Sequence, residues 1–398
     1  MASPGPGERW TDAARGYLSR TVPVVPPIYQ CTTFELDDRS YRDIVEGGGF
    51  GEAWYTRFGN PTVAWAADAV ARLEGAEAAV MTSSGMGAIA TTLLSLLRAG
   101  DRVVAARELY GDTRDLLVRD LPALGIRVDF VAAADLGQWR AALAAGPAAV
   151  AYAESLSNPQ LRVLDVPAVA ELAHRHGARL VVDNTFASAF SVQPLALGAD
   201  LVVHSATKFL NGHSDVVAGA VAGDAAAVRE VQRRVVTLGT CLDPHAAFLV
   251  GRALHTYELR LGRQAEAAAG VARWLEGSPE VVEVAYPGLP SHPDAAVAER
   301  TWRPGRRGAM VAFVVRGGND RAARFLRALD LVREATSLGG VETLISAPHN
   351  SSQFSYTPEE LDLAGIRPGM VRLSVGLEDP AELVADLDQA LARTAPGS

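Results

Sequence analysis

Lys208 closes the run Asp200-Leu-Val-Val-His-Ser-Ala-Thr-Lys208, directly after an apolar strand-like stretch and beside two hydroxyl side chains, Ser205 and Thr207. A surface lysine needs no such neighbours. A lysine that condenses with an aldehyde needs a partly desolvated amine, and nearby hydroxyls suit a phosphate. Upstream, Val181-Val182-Asp183-Asn184-Thr185 puts a carboxylate at the end of another apolar run. An amine and an acid so placed fit pyridoxal phosphate, whose aldehyde takes the lysine and whose protonated ring nitrogen takes the carboxylate. A lysine of this kind is, by itself, far more often a surface residue than a catalytic one. The pairing with Asp183 reverses those odds.

Other segments carry two readings each. Ser83-Ser84-Gly85-Met86-Gly87-Ala88 precedes an apolar helical stretch, so its amides and helix N-terminus suit a phosphate, although any loop entering a helix has this form. Tyr55 and Arg57 alternate in an extended, turn-rich segment and therefore point the same way. They suit a phosphate dianion, and equally a polar turn before a helix starting near Pro61. Tyr110, in Glu108-Leu109-Tyr110-Gly111, is placed either to stack on a ring and move a proton or to serve as a buried structural tyrosine. Arg372 lies within the strand-like Val371-Arg372-Leu373-Ser374, where a charge is costly unless paired, by a substrate carboxylate or by an internal salt bridge. The eight histidines show no HExxH spacing and join neither cysteine in a zinc pattern, and no GxSxG elbow occurs. No metal is expected.

The elements that must position these groups follow from periodicity. Short apolar runs recur at Arg102 to Ala106, Ile126 to Val131, Ala148 to Ala153, Arg179 to Val182, Leu201 to Val203 and Val216 to Val221. Longer Ala- and Leu-rich stretches with helical spacing lie among them, such as Ala88 to Leu97 and Val166 to Arg175. The pattern predicts an α/β fold with a mostly parallel sheet and a ligand at the strand ends. A long helical stretch from Pro244 to Gln264 leads to a second, smaller α/β layer with strands at Gly308 to Val315 and Met370 to Val375. A closing helix then starts at Asp379-Pro380-Ala381-Glu382, with a reciprocal acid in its first turn. Its apolar face carries Leu383, Leu387 and Leu391.

The organisation expected is an N-terminal arm over 1–60, a large domain over 61–250 and a small domain over 251–398. At 398 residues the chain exceeds what one core usually holds, and its formal net charge of -9 argues against nucleic-acid binding. Two cysteines are too few for a disulfide framework, and no segment has the apolar length of a signal peptide or membrane span. A cytoplasmic protein with neither nucleic-acid nor membrane partners is expected.

Taken in order, Tyr55-Thr56-Arg57 with Gly59-Asn60-Pro61-Thr62, Ser84-Gly85-Met86, Tyr110-Gly111, Asp183-Asn184-Thr185, Ser205-Ala206-Thr207-Lys208, Ser337-Leu338-Gly339-Gly340 and Val371-Arg372-Leu373-Ser374 resemble the Cys/Met metabolism family of pyridoxal-phosphate enzymes. The resemblance spans nearly the whole chain. It implies a type I aspartate-aminotransferase-like fold, with a mostly parallel seven-stranded sheet in the large domain and a smaller C-terminal α/β domain. It also implies a homotetramer built as a dimer of dimers, in which Tyr55 and Arg57 reach the neighbouring subunit's phosphate.

By the same resemblance, Lys208 holds the aldehyde and shuttles protons, Asp183 keeps the pyridinium protonated, and Tyr110 stacks on the ring. Ser84, Gly85, Met86, Ser205 and Thr207 bind phosphate, Asn158 lies near the ring, and Ser337 and Arg372 take the α-carboxylate of a small amino-acid substrate. The activity implied is α,γ-elimination from a sulfur amino acid, with L-methionine favoured and a cystathionine γ-lyase or γ-synthase as the near alternative. Cystathionine-handling members commonly carry an acid where this chain has Thr336 and an arginine where it has Asp115. Methionine γ-lyases usually carry a cysteine where it has Asp112. A non-catalytic oligomeric scaffold is the reading from another class, and intact Lys208 and Asp183 count against it.

Overall fold

A computed structural model describes residues 23–47, 53–351, 353–354 and 356–395. Of the arm expected over 1–60, residues 1–22 and 48–52 lie outside the described residues. The first sheet has seven strands: β1 (Ala78–Thr82), β2 (Arg102–Ala106), β3 (Arg127–Val131), β4 (Val150–Glu154), β5 (Arg179–Asp183), β6 (Leu201–Ser205) and β7 (Gly219–Gly223). Their order across the sheet is β1-β7-β6-β5-β4-β2-β3. Only β7 runs against its neighbours, so the sheet is mostly parallel, as expected. Every residue of β2 and β4 is buried, which is why these strands read as continuous apolar runs rather than alternating ones. Helices including Gly85–Leu96 and Val166–Arg175 pack their Ala, Val and Leu faces onto the sheet.

The second sheet comprises β8 (Val281–Ala285), β9 (Met310–Val315), β10 (Arg333–Glu334), β11 (Leu344–Ser346) and β12 (Met370–Ser374), in the order β10-β11-β12-β9-β8. It is mostly antiparallel. The closing helix Pro380–Arg393 buries Leu383, Leu387 and Leu391 against it, as their spacing predicts. Asp379 caps that helix by accepting from the Ala381 N–H at 2.8 Å, and the expected reciprocal contact from Glu382 is absent. A two-sided box forms at Thr357 and Glu360 instead.

The helical stretch expected from Pro244 to Gln264 is two helices, Pro244–Leu254 and Tyr257–Glu276. The break is held by Arg260, whose guanidinium donates to the carbonyls of Ala253, Phe209 and Leu210 at 3.1–3.4 Å. No helix among the described residues is long and apolar enough to cross a membrane.

The two sheets meet where the Ser337-Leu338-Gly339-Gly340 run crosses the chain at Lys208. Gly339 has φ +81°, and a β-carbon there would stand 2.6 Å from the Phe209 nitrogen and 2.9 Å from the Lys208 carbonyl carbon. Gly339→Ala is therefore expected to lower stability by about 2–5 kcal/mol, through left-handed strain and overpacking against backbone. Thermal unfolding of the purified variant checks it; an unchanged melting temperature would contradict this packing.

Candidate active site

The parallel strands end on one edge of the first sheet, and their last residues are polar: Glu154 on β4, Asp183 on β5 and Ser205 on β6. These residues border a cavity of about 450 Å³ that Arg372 of β12 enters from the second sheet. Its lining also includes Ser84, Gly85, Met86, Tyr110, Asn158, Thr207, Lys208 and Ser337. The structure thus brings eleven of the thirteen sequence-predicted site residues together. The other two, Tyr55 and Arg57, do not line the cavity of their own chain. Arg57 stacks on the rings of Tyr55 and Phe58 and donates to the Val236 carbonyl at 3.0 Å.

One end of the cavity could hold an anion. Ser84 caps the helix Gly85–Leu96 by accepting from the Gly87 N–H at 2.9 Å. Gly85 and Met86 open that helix, where amides lack intrahelical acceptors and the dipole favours negative charge. Only glycine fits at 85, because a β-carbon would stand 2.6 Å from the Ser205 β-carbon. Thr207 is tied into the structure by exchanging hydrogen bonds with the Ala218 backbone.

Lys208 donates from Nζ to the Ser337 hydroxyl at 2.7 Å, and Ser337 itself has φ 86°. Such a conformation is costly for a serine and marks a residue held by its surroundings. Burial, and then the nearby Arg372 charge, lower the Lys208 amine to about 8. Roughly a tenth of the amine is therefore uncharged at pH 7 and about half at pH 8, far more than for an ordinary lysine, and condensation with a carbonyl uses that form.

Arg372 is 5% exposed and has no acidic partner within ion-pair distance among the described residues. Its Nη1 donates to Asn158 Oδ1 at 3.0 Å, its Nη2 to the Ser337 carbonyl at 3.2 Å, and it lies over the Phe186 ring. Burial lowers it to about 10, with Glu154 and Tyr110 opposing. The internal salt bridge is thus not formed, and the guanidinium keeps capacity for a carboxylate from outside the chain.

Asp183 accepts from the Thr185 N–H at 2.9 Å. Burial raises its carboxyl, while the Thr185 hydrogen bonds and the His204 charge oppose the rise. Beneath it, the fully buried Glu74 takes hydrogen bonds from Asn184 at 2.9 Å and pairs with His204 at 2.5 Å. Tyr110, 37% exposed at the cavity, donates its hydroxyl to Asp112 at 2.7 Å. Burial, with the Asp112 hydrogen bond and charge, pushes the phenol up to about 12.

Nine further residues line the cavity, among them Glu154, Thr185 and Phe186, none of which had been given a site role. Thr185 and Phe186 follow Asp183 directly, and Glu154 closes an apolar run as Asp183 does, so strand-end position was the signal for it.

The residues fit pyridoxal phosphate: an amine that titrates near neutrality, a buried acid at a strand end and a glycine-bound helix N-terminus share one cavity of ligand size. Loading the cofactor-free protein at a series of pH values and trapping the product with borohydride tests the amine. The rate should rise as Lys208 loses its proton and level off above about pH 8. A rate still rising towards pH 10 would mean an ordinary lysine.

Comparison with known proteins agrees with this geometry. A family model described as Cys/Met metabolism PLP-dependent enzyme matches residues 14–392. The chain is 42% identical to the L-methionine gamma-lyase of Pseudomonas putida over 375 residues, covering 94% of this chain and 93% of that protein. It is 40% identical to the O-succinylhomoserine sulfhydrylase of Pseudomonas aeruginosa over 338 residues, 85% of this chain and 83% of the other. The crystal structure of cystathionine gamma synthase from Xanthomonas oryzae pv. oryzae in complex with cystathionine aligns with TM-score 0.87 and 38% identity over 93% of each chain.

Proposed function

The chain belongs to the Cys/Met metabolism family of pyridoxal-phosphate-dependent enzymes, and from that premise we propose that it removes the γ-substituent of L-methionine. Methionine and water would give methanethiol, 2-oxobutanoate and ammonia. The observation that carries the reading is the buried Arg372 guanidinium without an acidic partner, in one cavity with a lysine lowered to about 8: a carboxylate site beside an amine site.

When bound, the cofactor supplies an aldehyde for amines and a ring that accepts electrons from the substrate α-carbon. Lys208 would hold that aldehyde, with Asp183 at the ring nitrogen and Tyr110 against the ring face. Ser84, Gly85, Met86, Ser205 and Thr207 would hold the phosphate. Among the described residues lining the cavity, Lys208 and Arg372 are the only basic ones, so none of them would bring an arginine to a phosphate dianion held beside Gly85. That supports a homotetramer in which Tyr55 and Arg57 of a neighbouring subunit complete the site.

Arg372, with Ser337 and Asn158 around it, would orient the substrate by its carboxylate. Lys208 Nζ, freed of the aldehyde, would carry protons one at a time: it would take the one on the substrate α-carbon, deliver it to the group that has accepted the electrons, and only then, neutral again, take one from the β-carbon. The Tyr110 hydroxyl, kept protonated by burial and Asp112, would give its proton to the departing sulfur.

Thr336, rather than an acid, borders the cavity, and its charged lining residues are Lys208, Arg372, Glu154 and Asp183. This favours methionine over cystathionine, whose second amino-acid end brings two further charges. The likeness to a sulfhydrylase favours γ-replacement on an O-acyl-homoserine as the second reading, since the same residues would serve it. Two cysteines without disulfide partners support a reducing cytoplasm.

The holoenzyme should form 2-oxobutanoate and methanethiol from L-methionine, and Lys208→Ala should lower that rate by at least roughly 10²–10⁴-fold. Product from L-cystathionine alone, or only from an O-acyl-homoserine with an added thiol, would replace this reading. A second test concerns Asp112. Its carboxylate accepts a hydrogen bond from the phenol and repels the phenolate, so both effects stabilise the protonated form. Asp112→Ala should therefore bring Tyr110 ionisation, and with it the alkaline fall in kcat, to lower pH. An unmoved alkaline limb would show that Asp112 has no hold on the catalytic proton.

A further inference from the structure

Glu154 has no part in the steps above, yet it is 6% exposed and borders the cavity. It stands in register with Asp183 on the neighbouring strand, so two carboxylates end adjacent strands side by side. Burial and then the Asp183 charge push the Glu154 carboxyl well upward, while two backbone hydrogen bonds and Arg372 pull it back. A buried acid under such pressure is expensive unless both oxygens are satisfied. Both are: Oε1 accepts from the Tyr110 N–H at 2.6 Å and Oε2 from the Asn158 N–H at 3.0 Å.

These two amides belong to loops that leave different strands. The Tyr110 loop follows β2 and the Asn158 loop follows β4, so one carboxylate pins both loops across the mouth of the sheet. The second contact leads further. Asn158 Oδ1 accepts from Arg372 Nη1 at 3.0 Å, so a continuous line runs from Glu154 through Asn158 to the guanidinium. Glu154 and Arg372 do not touch, and neither has an ion-pair partner among the described residues. The Arg372 charge is one of the influences that pull the Glu154 carboxyl back toward its ionised form, so the two groups interact across the asparagine.

We propose that Glu154 is a positioning residue that aims Arg372 at the substrate carboxylate through Asn158. The inference rests on the reading that Arg372 takes that carboxylate. Glutamine in place of Glu154 keeps the size but turns one acceptor into a donor facing a backbone N–H. The two loops can then no longer both be pinned by this side chain, and the line that aims Arg372 through Asn158 loosens.

The test uses the holoenzyme and two constants: KM for L-methionine, and the calorimetric Kd of 4-(methylsulfanyl)butanoate, which keeps the carboxylate and thioether but has no amine to react. Glu154→Gln should raise both about tenfold while kcat falls by a smaller factor, as expected when a charge-assisted contact loosens. Glu154→Asp, which keeps a carboxyl but cannot reach both amides, should fall between the variant and the parent. If Glu154→Gln does not fold, Glu154→Asp is judged by the same constants. Arg372→Ala separates the two layers of the argument. An unchanged Kd in Arg372→Ala overturns the carboxylate reading itself, whereas a raised Kd there with an unchanged Kd in both Glu154 variants overturns only the positioning role. Loss of bound cofactor from Glu154→Gln with Kd unaltered would likewise overturn it, by assigning Glu154 to the cofactor.

Discussion

Four charged groups, Lys208, Arg372, Asp183 and Glu154, share one cavity without a single direct ion pair among them. Each is held by neutral dipoles instead. Ser337 Oγ takes the amine, Asn158 Oδ1 and the Ser337 carbonyl take the guanidinium, and backbone amides of Thr185, Tyr110 and Asn158 take the acids. Had the cations met the acids directly, the site would be more stable and chemically inert. Keeping opposite charges close but separate maintains a field ready for a ligand with its own carboxylate, amine and phosphate, and the rest of the fold supplies the stability that this arrangement costs.

Ser337 concentrates that division of labour. Its hydroxyl accepts from Lys208 and its carbonyl accepts from Arg372, so a single residue spaces the two cations. It can do so only with the backbone turned to positive φ, and Gly339, also left-handed, lets the same run lie directly on the Lys208–Phe209 backbone. Ser374 on β12 fixes the run by accepting from the Gly339 N–H at 2.8 Å. The contact between the two sheets and the geometry of the lysine are thus one structural feature.

This explains what was legible in the sequence. Strand ends carrying Asp183, Ser205 and Lys208 were visible because apolar runs stop at them, and the helix N-terminus at Gly85 was visible because serine and glycine precede an apolar face. Contacts made by tertiary packing were less so. The strand expected at Val216 to Val221 lies at Gly219–Gly223, where missing side chains admit the Ser84 and Asp200 carbonyls. β1 went unread because Ala78–Thr82 is short, lacks alternation and pairs only with β7, far along the chain. The helix break at His255 and Thr256 depends on a guanidinium from the following helix meeting carbonyls of another loop. Glu154 has the same strand-end position as Asp183 but no adjacent motif, so position alone did not distinguish it from a chance acid.

Tyr110 shows how this separation of charges reaches beyond the cavity. Its backbone is fixed by Glu154 and its hydroxyl by Asp112. Two residues past Asp112, Arg114 pairs with Glu360 and stacks over the Tyr356 ring at 4.7 Å, so the short helix after Tyr110 is fastened to the segment that precedes β12. That segment leads to Arg372. Arg114 thereby connects the helix after the tyrosine with the stretch of chain that enters β12. Tyr110 and Arg372 are thus each held by their own neutral or acidic neighbours, with Glu154 and Asn158 as the link common to both.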